Sequence, residues 1–417
     1  MPSNEALISL SRPFRVLIAG ASYGGLCAAL TLLDLSRGQL PRFNSDPEAQ
    51  PPQYQIPVEI TLVDEKDGYY HLISSPKALV DEEYASQAWT KFVDIPALRS
   101  PNVHIFRGSV NAVDCQKKTA RILESESKTV REERYDFFIA ATGLRRVFPT
   151  VPQSLTRDDF LPEVKKHTDS IVNAGDVVVV GGGAVGTEMA TELKLHYPQM
   201  KVTLIHSRDH LLSAEALPDD FKDRVAAIIR ETGVELILGQ RVIDTAAVQE
   251  GDRRTWQLTL ADGRIIKTGH VLNAISRISS TTSYLPSETL NEEGHVKVHP
   301  SLQFPSNTSN ASHHFAIGDI VAWSGIKRCG GAMHMGHYAG YNIHQLMLAE
   351  CAATKPVFRE LQRIPPMIGL CLGKTAISYH PDVGMKDGEE TLASNFGDDM
   401  AFKICWNYMR LSEPWKV

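Results

Sequence analysis

Arg15-Val-Leu-Ile-Ala-Gly-Ala-Ser-Tyr-Gly-Gly25 and Asp176-Val-Val-Val-Val-Gly-Gly-Gly-Ala-Val-Gly186 are two copies of one pattern. In each, an apolar β-branched run breaks at glycine and resumes as a small-residue helix, over Leu26 to Leu33 in the first copy and Thr187 to Leu195 in the second. The pattern predicts strand, tight turn and helix. Glycine lets the turn close, lets the backbone approach a pyrophosphate, and lets the helix pack hard on its strand with its amide-rich end toward the phosphates. The candidate phosphate-facing positions are Gly20, Ser22, Tyr23, Gly24 and Gly25, and then Gly181, Gly183 and Gly186. Either stretch alone could be an ordinary glycine-rich connection with no ligand; two argue for two nucleotides.

The repeat runs on past the glycines. Ile60-Thr-Leu-Val-Asp64 matches Val202-Thr-Leu-Ile-His206 as the second strand of each unit, and Asp64 stands where a carboxylate accepts hydrogen bonds from the ribose of an adenine dinucleotide. Arg37 to Pro57, polar and interrupted by five prolines, reads as a surface insertion. Each half then shows a meander and a closing strand. In the first these are His104 to Val110, Lys118 to Leu123 and Tyr135 to Gly143; in the second, Thr255 to Leu260, a turn at Asp262-Gly263, and Val271 to Ser276. One more strand, Phe315-Ala-Ile-Gly-Asp319, ends in an aspartate that either reaches a ligand or caps the next helix.

A chain of 417 residues suggests two or three domains. Its 43% hydrophobic and 22% charged residues are ordinary for a globular protein, and a net charge of −6 argues against a nucleic-acid partner. No 18-residue apolar run predicts a membrane-spanning helix, and Met1 to Arg12 lacks the features of a secretory signal, although a peripheral membrane contact stays open. The six cysteines, Cys27, Cys115, Cys329, Cys351, Cys371 and Cys405, show no CxxC or CxxxxC spacing, so no redox disulfide of that type is expected. His334 and His337 have a spacing two metal ligands could use, but no cysteine or carboxylate cluster accompanies them, and no metal is expected.

Gly20-Ala-Ser-Tyr-Gly-Gly25, Ala141-Thr-Gly143, Gly181-Gly-Gly-Ala-Val-Gly186 and Ala316-Ile-Gly-Asp319 occur in the order found in two-dinucleotide-binding-domain flavoproteins. Within these, the chain resembles the apoptosis-inducing-factor-like mitochondrion-associated oxidoreductases, which are related to type II NADH:quinone dehydrogenases, over roughly residues 14 to 380. The resemblance implies an α/β fold of two Rossmann-like three-layer domains in a glutathione-reductase-like arrangement, with a small C-terminal α+β domain. The expected boundaries are 1–148 and 274–345 for an FAD domain in two segments, 149–273 for an NAD(P)H domain and 346–417 for a C-terminal cap.

It further implies that Asp64, Val110, Thr142, Gly143, Gly318, Asp319 and His334 serve FAD, and that Glu188 and Ser276 lie toward the nicotinamide. Lys77 either stands near flavin N5, stabilising charge as hydride arrives, or is a solvated loop lysine. Glu188 is either at the flavin-nicotinamide junction or on a helix surface. The stretch Lys327 to His337, ahead of a helix over Tyr338 to Leu348, either lines the flavin or only packs; Tyr69, Tyr70 and His71 are expected in the core, the alternative being that they border the flavin ring. Ser22 and Ser276 depart from the family's glycines, and no Pro-Asn pair follows Ser276.

The expected activity is FAD-dependent NAD(P)H oxidation: hydride passes from nicotinamide C4 to flavin N5, and electrons go on to a quinone or other small acceptor. The alternatives are a biosynthetic flavoenzyme with its own small-molecule substrate, or a redox-responsive interaction protein without turnover. His206-Ser-Arg208 replaces the acidic end of the first unit, so Ser207 and Arg208 are expected to favour NADPH, with NADH accepted, unless Arg208 is spent on Asp209 or Glu188. A cytoplasmic monomer or homodimer is expected, with peripheral membrane or mitochondrial association open.

Overall fold

The computed structural model describes residues 6–8, 10–43, 47–251, 253–275 and 279–414; Ser276 and Trp415 fall outside them. In the first segment, β1 (Phe14–Ala19) leads through the glycine turn into α1 (Tyr23–Ser36), followed by β2 (Val58–Asp64), the short helices α2 (Ser75–Ala78) and α3 (Glu82–Ala88), and the strands β3 (Val103–Asp114), β4 (Thr119–Glu124), β5 (Val130–Arg134) and β6 (Phe137–Ala140). The second unit repeats the plan with α4 (Arg157–Ala174), β7 (Asp176–Val180), α5 (Ala184–His196), β8 (Lys201–Ile205), α6 (Asp219–Glu231) and β9 (Glu235–Ile237). The antiparallel trio β10 (Val242–Glu250), β11 (Arg253–Leu260) and β12 (Ile265–Thr268) and the closing strand β13 (His270–Asn273) complete it. The chain then supplies β14 (His314–Ala316), the long α7 (Cys329–Ala352), the hairpin strands β15 (Ile368–Leu372), β16 (Thr375–His380) and β17 (Gly384–Gly388), and α8 (Glu389–Asn395) and α9 (Phe402–Tyr408).

The first sheet has the order β14-β6-β1-β2-β3-β4-β5, so β14 returns beside strands nearly two hundred residues earlier. Its first five strands run parallel, and β4 and β5 continue antiparallel from the far half of β3. The second sheet, β9-β8-β7-β13, is wholly parallel. Parallel strands buried on both faces need continuous apolar runs, and Val177, Val178 and Val179 of β7 are at most 2% exposed. Each sheet thus ends its strands beside its own glycine turn.

α1 is buried along its whole length, between the first sheet and α7. The two helices touch backbone to side chain: a Cβ on Gly336 would come 2.3 Å from the Gly24 carbonyl oxygen, and one on Gly340 would come 2.8 Å from that of Ala28. Cys27 packs there as a small core residue, 2.9 Å from the position of a Gly336 Cβ. This contact explains Gly336 and Gly340, whereas Gly330 and Gly331 meet nothing of α1; the expected helix start is corrected as well. α7 begins at Cys329, so the histidine-rich stretch forms its first turns instead of a preceding loop.

The insertion after α1 is tied down at Arg42, whose guanidinium pairs with the buried Asp34 at 2.9 Å, and at Phe43, which packs on His337 and Tyr408. The C-terminal part bridges the units. β15 lies against α5, whereas Cys405, Met409 and Leu411 enter the core of the first unit. Residues 353–367 form no regular element, in keeping with Pro365-Pro366, which can donate no backbone hydrogen bond.

Candidate nucleotide-binding sites

The two glycine turns superimpose in their chemistry. Gly20 and Gly181 have φ of +104° and +118°, where a side chain would be strained, and a Cβ on Gly25 or Gly186 would fall 1.8 or 1.9 Å from the carbonyl oxygen of Gly20 or Gly181. Those glycines are demanded by the turn. Gly183 is different: a Cβ there would meet nothing within 4 Å, so its absence leaves room outside the protein's own packing. Ser22 holds the equivalent place as N-cap of α1, and Gly183 is N-cap of α5.

Among the helices of 13 residues or more, the N-termini fall into two classes. α4 is capped by the Thr156 hydroxyl, and both α4 and α6 carry two aspartates in their first turn. α1, α5 and α7 have neither a side-chain cap nor a first-turn acid. Their leading N–H groups therefore keep hydrogen-bonding capacity and a positive partial charge that only an external acceptor would use, which is what a pyrophosphate or a flavin requires.

At the end of β2, the Asp64 carboxylate accepts from the backbone N–H groups of Ala21 (2.7 Å) and Lys66 (2.9 Å), one on each oxygen, holding the turn. His206 does the same work in the second unit. Its Nδ1 accepts from Gly182 N–H at 3.0 Å and its Nε2 meets the Ser213 hydroxyl at 3.1 Å, which fixes the neutral ring; burial lowers its pKa. Ser207 and Arg208 follow, both exposed, and one suggested competitor for Arg208 is removed because Glu188 points inward.

Around the first site, Thr142 Oγ1 accepts from the Thr281 hydroxyl at 2.7 Å and meets Tyr284 Oη at 3.2 Å, while Gly143, at φ +69°, faces open space. Val110 is buried beside a bulge in the β3–β4 pairing. Gly318, at φ +75°, donates to Met335 Sδ, and Asp319 lies 3.5 Å from the Arg146 guanidinium. Asp319 does not cap α7, whose N-cap is Arg328, so that alternative falls. Tyr23 turns its hydroxyl inward: with Tyr69 it donates to Nδ1 of the buried His71, whose Nε2–H is held by the Met400 carbonyl. Desolvation pushes the His71 pKa down to about 4, so that ring is neutral.

Two carboxylates of α5, one helical turn apart, face the C-terminal strands. Glu188 accepts from Cys371 N–H at 3.0 Å, and burial first, then Glu192, pushes its pKa up to about 8. Burial pushes Glu192 up to about 7, opposed by Lys77. Glu188 is thus no surface carboxylate. Lys77 is no free loop lysine either: it sits in α2, donates to the Asp398 carbonyl at 3.1 Å and lies 5.2 Å from the Tyr84 ring centre. α2 and α5 pack together, which brings Lys77 toward the Glu188–Glu192 pair. His334 is exposed and rests on Tyr338, whereas His337 is buried with Nδ1 at Thr31 (3.1 Å) and Nε2 at Arg359 (3.2 Å). Arg146, Thr281, Tyr284 and Glu192 were not singled out from sequence. A second acid at i+4 of Glu188 was the one signal available for them.

Residues 14–336 match the family described as pyridine nucleotide-disulphide oxidoreductase. Oxidoreductase OXR1 of Ajellomyces capsulatus is 50% identical over 99% of this chain and 92% of its own length. Ferroptosis suppressor protein 1 of Xenopus laevis is 27% identical over 91% of this chain and 89% of its own. Among solved structures, the sulfide:quinone oxidoreductase of Aquifex aeolicus shares the fold with a TM-score of 0.67 and 16% identity, covering 95% of this chain and 92% of that one. With two uncapped helices behind matching glycine turns on duplicated units and a family match spanning both, the chain belongs to the pyridine nucleotide-disulphide oxidoreductases and is an NAD(P)H-dependent flavin oxidoreductase that uses FAD.

Proposed function

We propose that the first unit holds FAD and the second NADPH, and that the protein passes electrons from the nicotinamide to a quinone or similar small acceptor. The observation that carries this reading is the pairing of α1 and α5, the two helices whose N-termini lack caps and first-turn acids behind matching glycine turns. When bound, FAD supplies a two-electron carrier between nicotinamide and acceptor. The chain's part is to bind and orient. Asp64 with Ala21 fixes the adenosine end, the α1 N-terminus with Gly24 and Ser22 takes the pyrophosphate, and Thr142, Gly143, Gly318 and Asp319 line the remainder.

Gly181 to Gly186 take the second pyrophosphate, Ser207 and Arg208 the 2′-phosphate, and Ser276 the nicotinamide side. Lys77 and Glu188 stand toward the junction; Glu188, with its pKa near 8, can hold a proton at neutral pH. Val110 and His334 border the FAD cleft in this reading. The sheet memberships support division near 148 and 273, whereas a division at 345 would fall inside α7 (Cys329–Ala352), so the part that bridges the units starts after that helix. The fold shared with a sulfide:quinone oxidoreductase favours a quinone. Among the described residues no helix is long and apolar enough to cross a membrane, so a quinone would be met at a membrane surface or as a soluble analogue.

The test is a visible spectrum of the purified chain, anaerobic addition of NADPH, and then oxygen, a short-chain quinone and ferricyanide in turn. Flavin bleaching followed by many turnovers with the quinone is expected; bleaching with slow reoxidation by every acceptor would overturn the quinone assignment.

A further inference from the structure

Just past Gly318-Asp319 in the chain, a cleft of about 490 Å³ opens between the turn at 291–295, the loop at 321–327 and Arg363. Three sets of hydrogen bonds build it. Val296 N–H donates to the Ile320 carbonyl (2.8 Å) and Ala322 N–H to the Val296 carbonyl (2.9 Å), which joins the first two walls. Asn291 Oδ1 accepts from the N–H groups of Glu293 (3.1 Å) and His295 (2.8 Å) and shapes the turn. The Trp323 indole N–H donates to the Gln362 carbonyl (3.0 Å), and the Ser324 hydroxyl oxygen accepts from Ile364 N–H (2.8 Å). Gly325, at φ +86°, lets the two chain segments meet, since a Cβ there would come 2.7 Å from Ile364. Arg363 therefore has both neighbours pinned, with Pro365-Pro366 just beyond, while its guanidinium has no partner among the described residues. The Lys327 ammonium uses one N–H on the Val321 carbonyl at 2.7 Å and, among the described residues, forms no ion pair. Trp323 is half-buried and packs on the core of the first unit, so it gives the cleft a fixed aromatic wall. Glu293, the acid among the lining residues, is solvated, with its side chain 79% exposed and 3.5 Å from His295 Nδ1.

We propose that this cleft binds a planar aromatic acid, with its ring against Trp323 and its carboxylate on Lys327 and Arg363. The volume suits a small organic molecule and exceeds what a lone ion needs. Two cations without a counter-charge select an anion, and the guanidinium fork matches a carboxylate with charge-assisted hydrogen bonds. Because the indole N–H is already bonded, Trp323 offers only its apolar ring, which favours a flat aromatic body. A solvated carboxylate at the rim, as Glu293 is, opposes this weakly. An uncharged quinone would leave both cations without a counter-charge, so the cleft is not the acceptor site of the proposed function. Apart from Lys327, which opens the stretch before α7, its lining residues are none of those expected to serve FAD or NADPH. The occupant is a third small molecule, held beside the loop that leads from Asp319 into α7.

The experiment irradiates the FAD-loaded full chain, without nicotinamide, in the presence of 4-azidobenzoate or of uncharged 4-azidobenzamide at equal concentration, then digests the protein and maps the label by mass. The acid is expected to label residues 291–295 and 321–327 about tenfold or more above the amide, and excess 2-naphthoate should suppress that label. Arg363→Gln, at an exposed side chain, should weaken the labelling about tenfold or more, the loss of one charge-assisted contact. Arg208→Ala, at the candidate 2′-phosphate position, should leave it unchanged. Equal labelling of the cleft by acid and amide, label from the acid confined to other regions, or a loss in Arg208→Ala in place of Arg363→Gln would overturn the proposal. The comparison of acid with amide needs only the wild-type chain.

Discussion

At the end of the second strand of each unit, one side chain holds the glycine turn from the same direction, but the first unit uses Asp64 and the second His206. Both accept a hydrogen bond from the residue after the first glycine, so the turns are built alike. Electrically they are opposites. A carboxylate adds negative charge beside the ribose site, whereas a neutral imidazole followed by Ser207 and Arg208 leaves room for a 2′-phosphate. Backbone geometry is thus shared by the duplicated units, while the side chain that holds the turn at the strand end differs.

The largest effect is expected where the units agree. Gly25→Ala and Gly186→Ala each drive a methyl into a carbonyl oxygen at under 2 Å, and each should cost about 3 kcal/mol or more, read as a lower urea midpoint or insoluble protein. Gly183→Ala sharpens the contrast. With no neighbour within 4 Å it should leave the urea midpoint unchanged while raising KM for NADPH about tenfold or more; an unaffected KM would mean no phosphate lies there.

Asp64→Ala removes the acceptor of two backbone N–H groups and should weaken FAD retention by roughly ten- to hundredfold, one lost charged contact of ~1.5–3 kcal/mol. Unchanged flavin content after dialysis would break the assignment of FAD to the first unit. Arg208→Ala should lower kcat/KM for NADPH by roughly ten- to hundredfold and spare NADH. His206→Asp, which copies the first unit, should move preference toward NADH. Equal losses with both cofactors in Arg208→Ala, or a wild type faster with NADH, would reject the pairing of Arg208 with a 2′-phosphate.

The smallest effect tests the carboxylates that only the second unit carries. Glu188 has a folded pKa raised from 4.5 to about 8, so the folded state holds more protons than the unfolded state between those values, and stability falls as pH rises through that window. Glu188→Gln keeps an acceptor for Cys371 N–H and removes the buried charge. It should raise stability above pH 8 by on the order of 1–2 kcal/mol and by little at pH 4.5, read from urea midpoints across pH. A gain independent of pH would show that the glutamate is not titrating in the folded protein.

The sequence alone determined the duplicated strand-turn-helix units, the α/β class and the positions of Gly20, Asp64, Gly181 and Asp319, because each is a local demand of backbone sterics or of a strand end. Even the Asp64–His206 difference was legible, since the two strands align residue by residue. What only the tertiary structure decided depends on elements distant in the chain. Gly336 and Gly340 of α7 became intelligible when they met the backbone of α1, and the helix start proved to be Cys329. Glu188 was settled as a buried acid by β15, and Lys77 by the loop at Asp398. The placement of Cys405, Met409 and Leu411 in the core of the first unit arises because α9 folds back onto it, and no local pattern encodes that return.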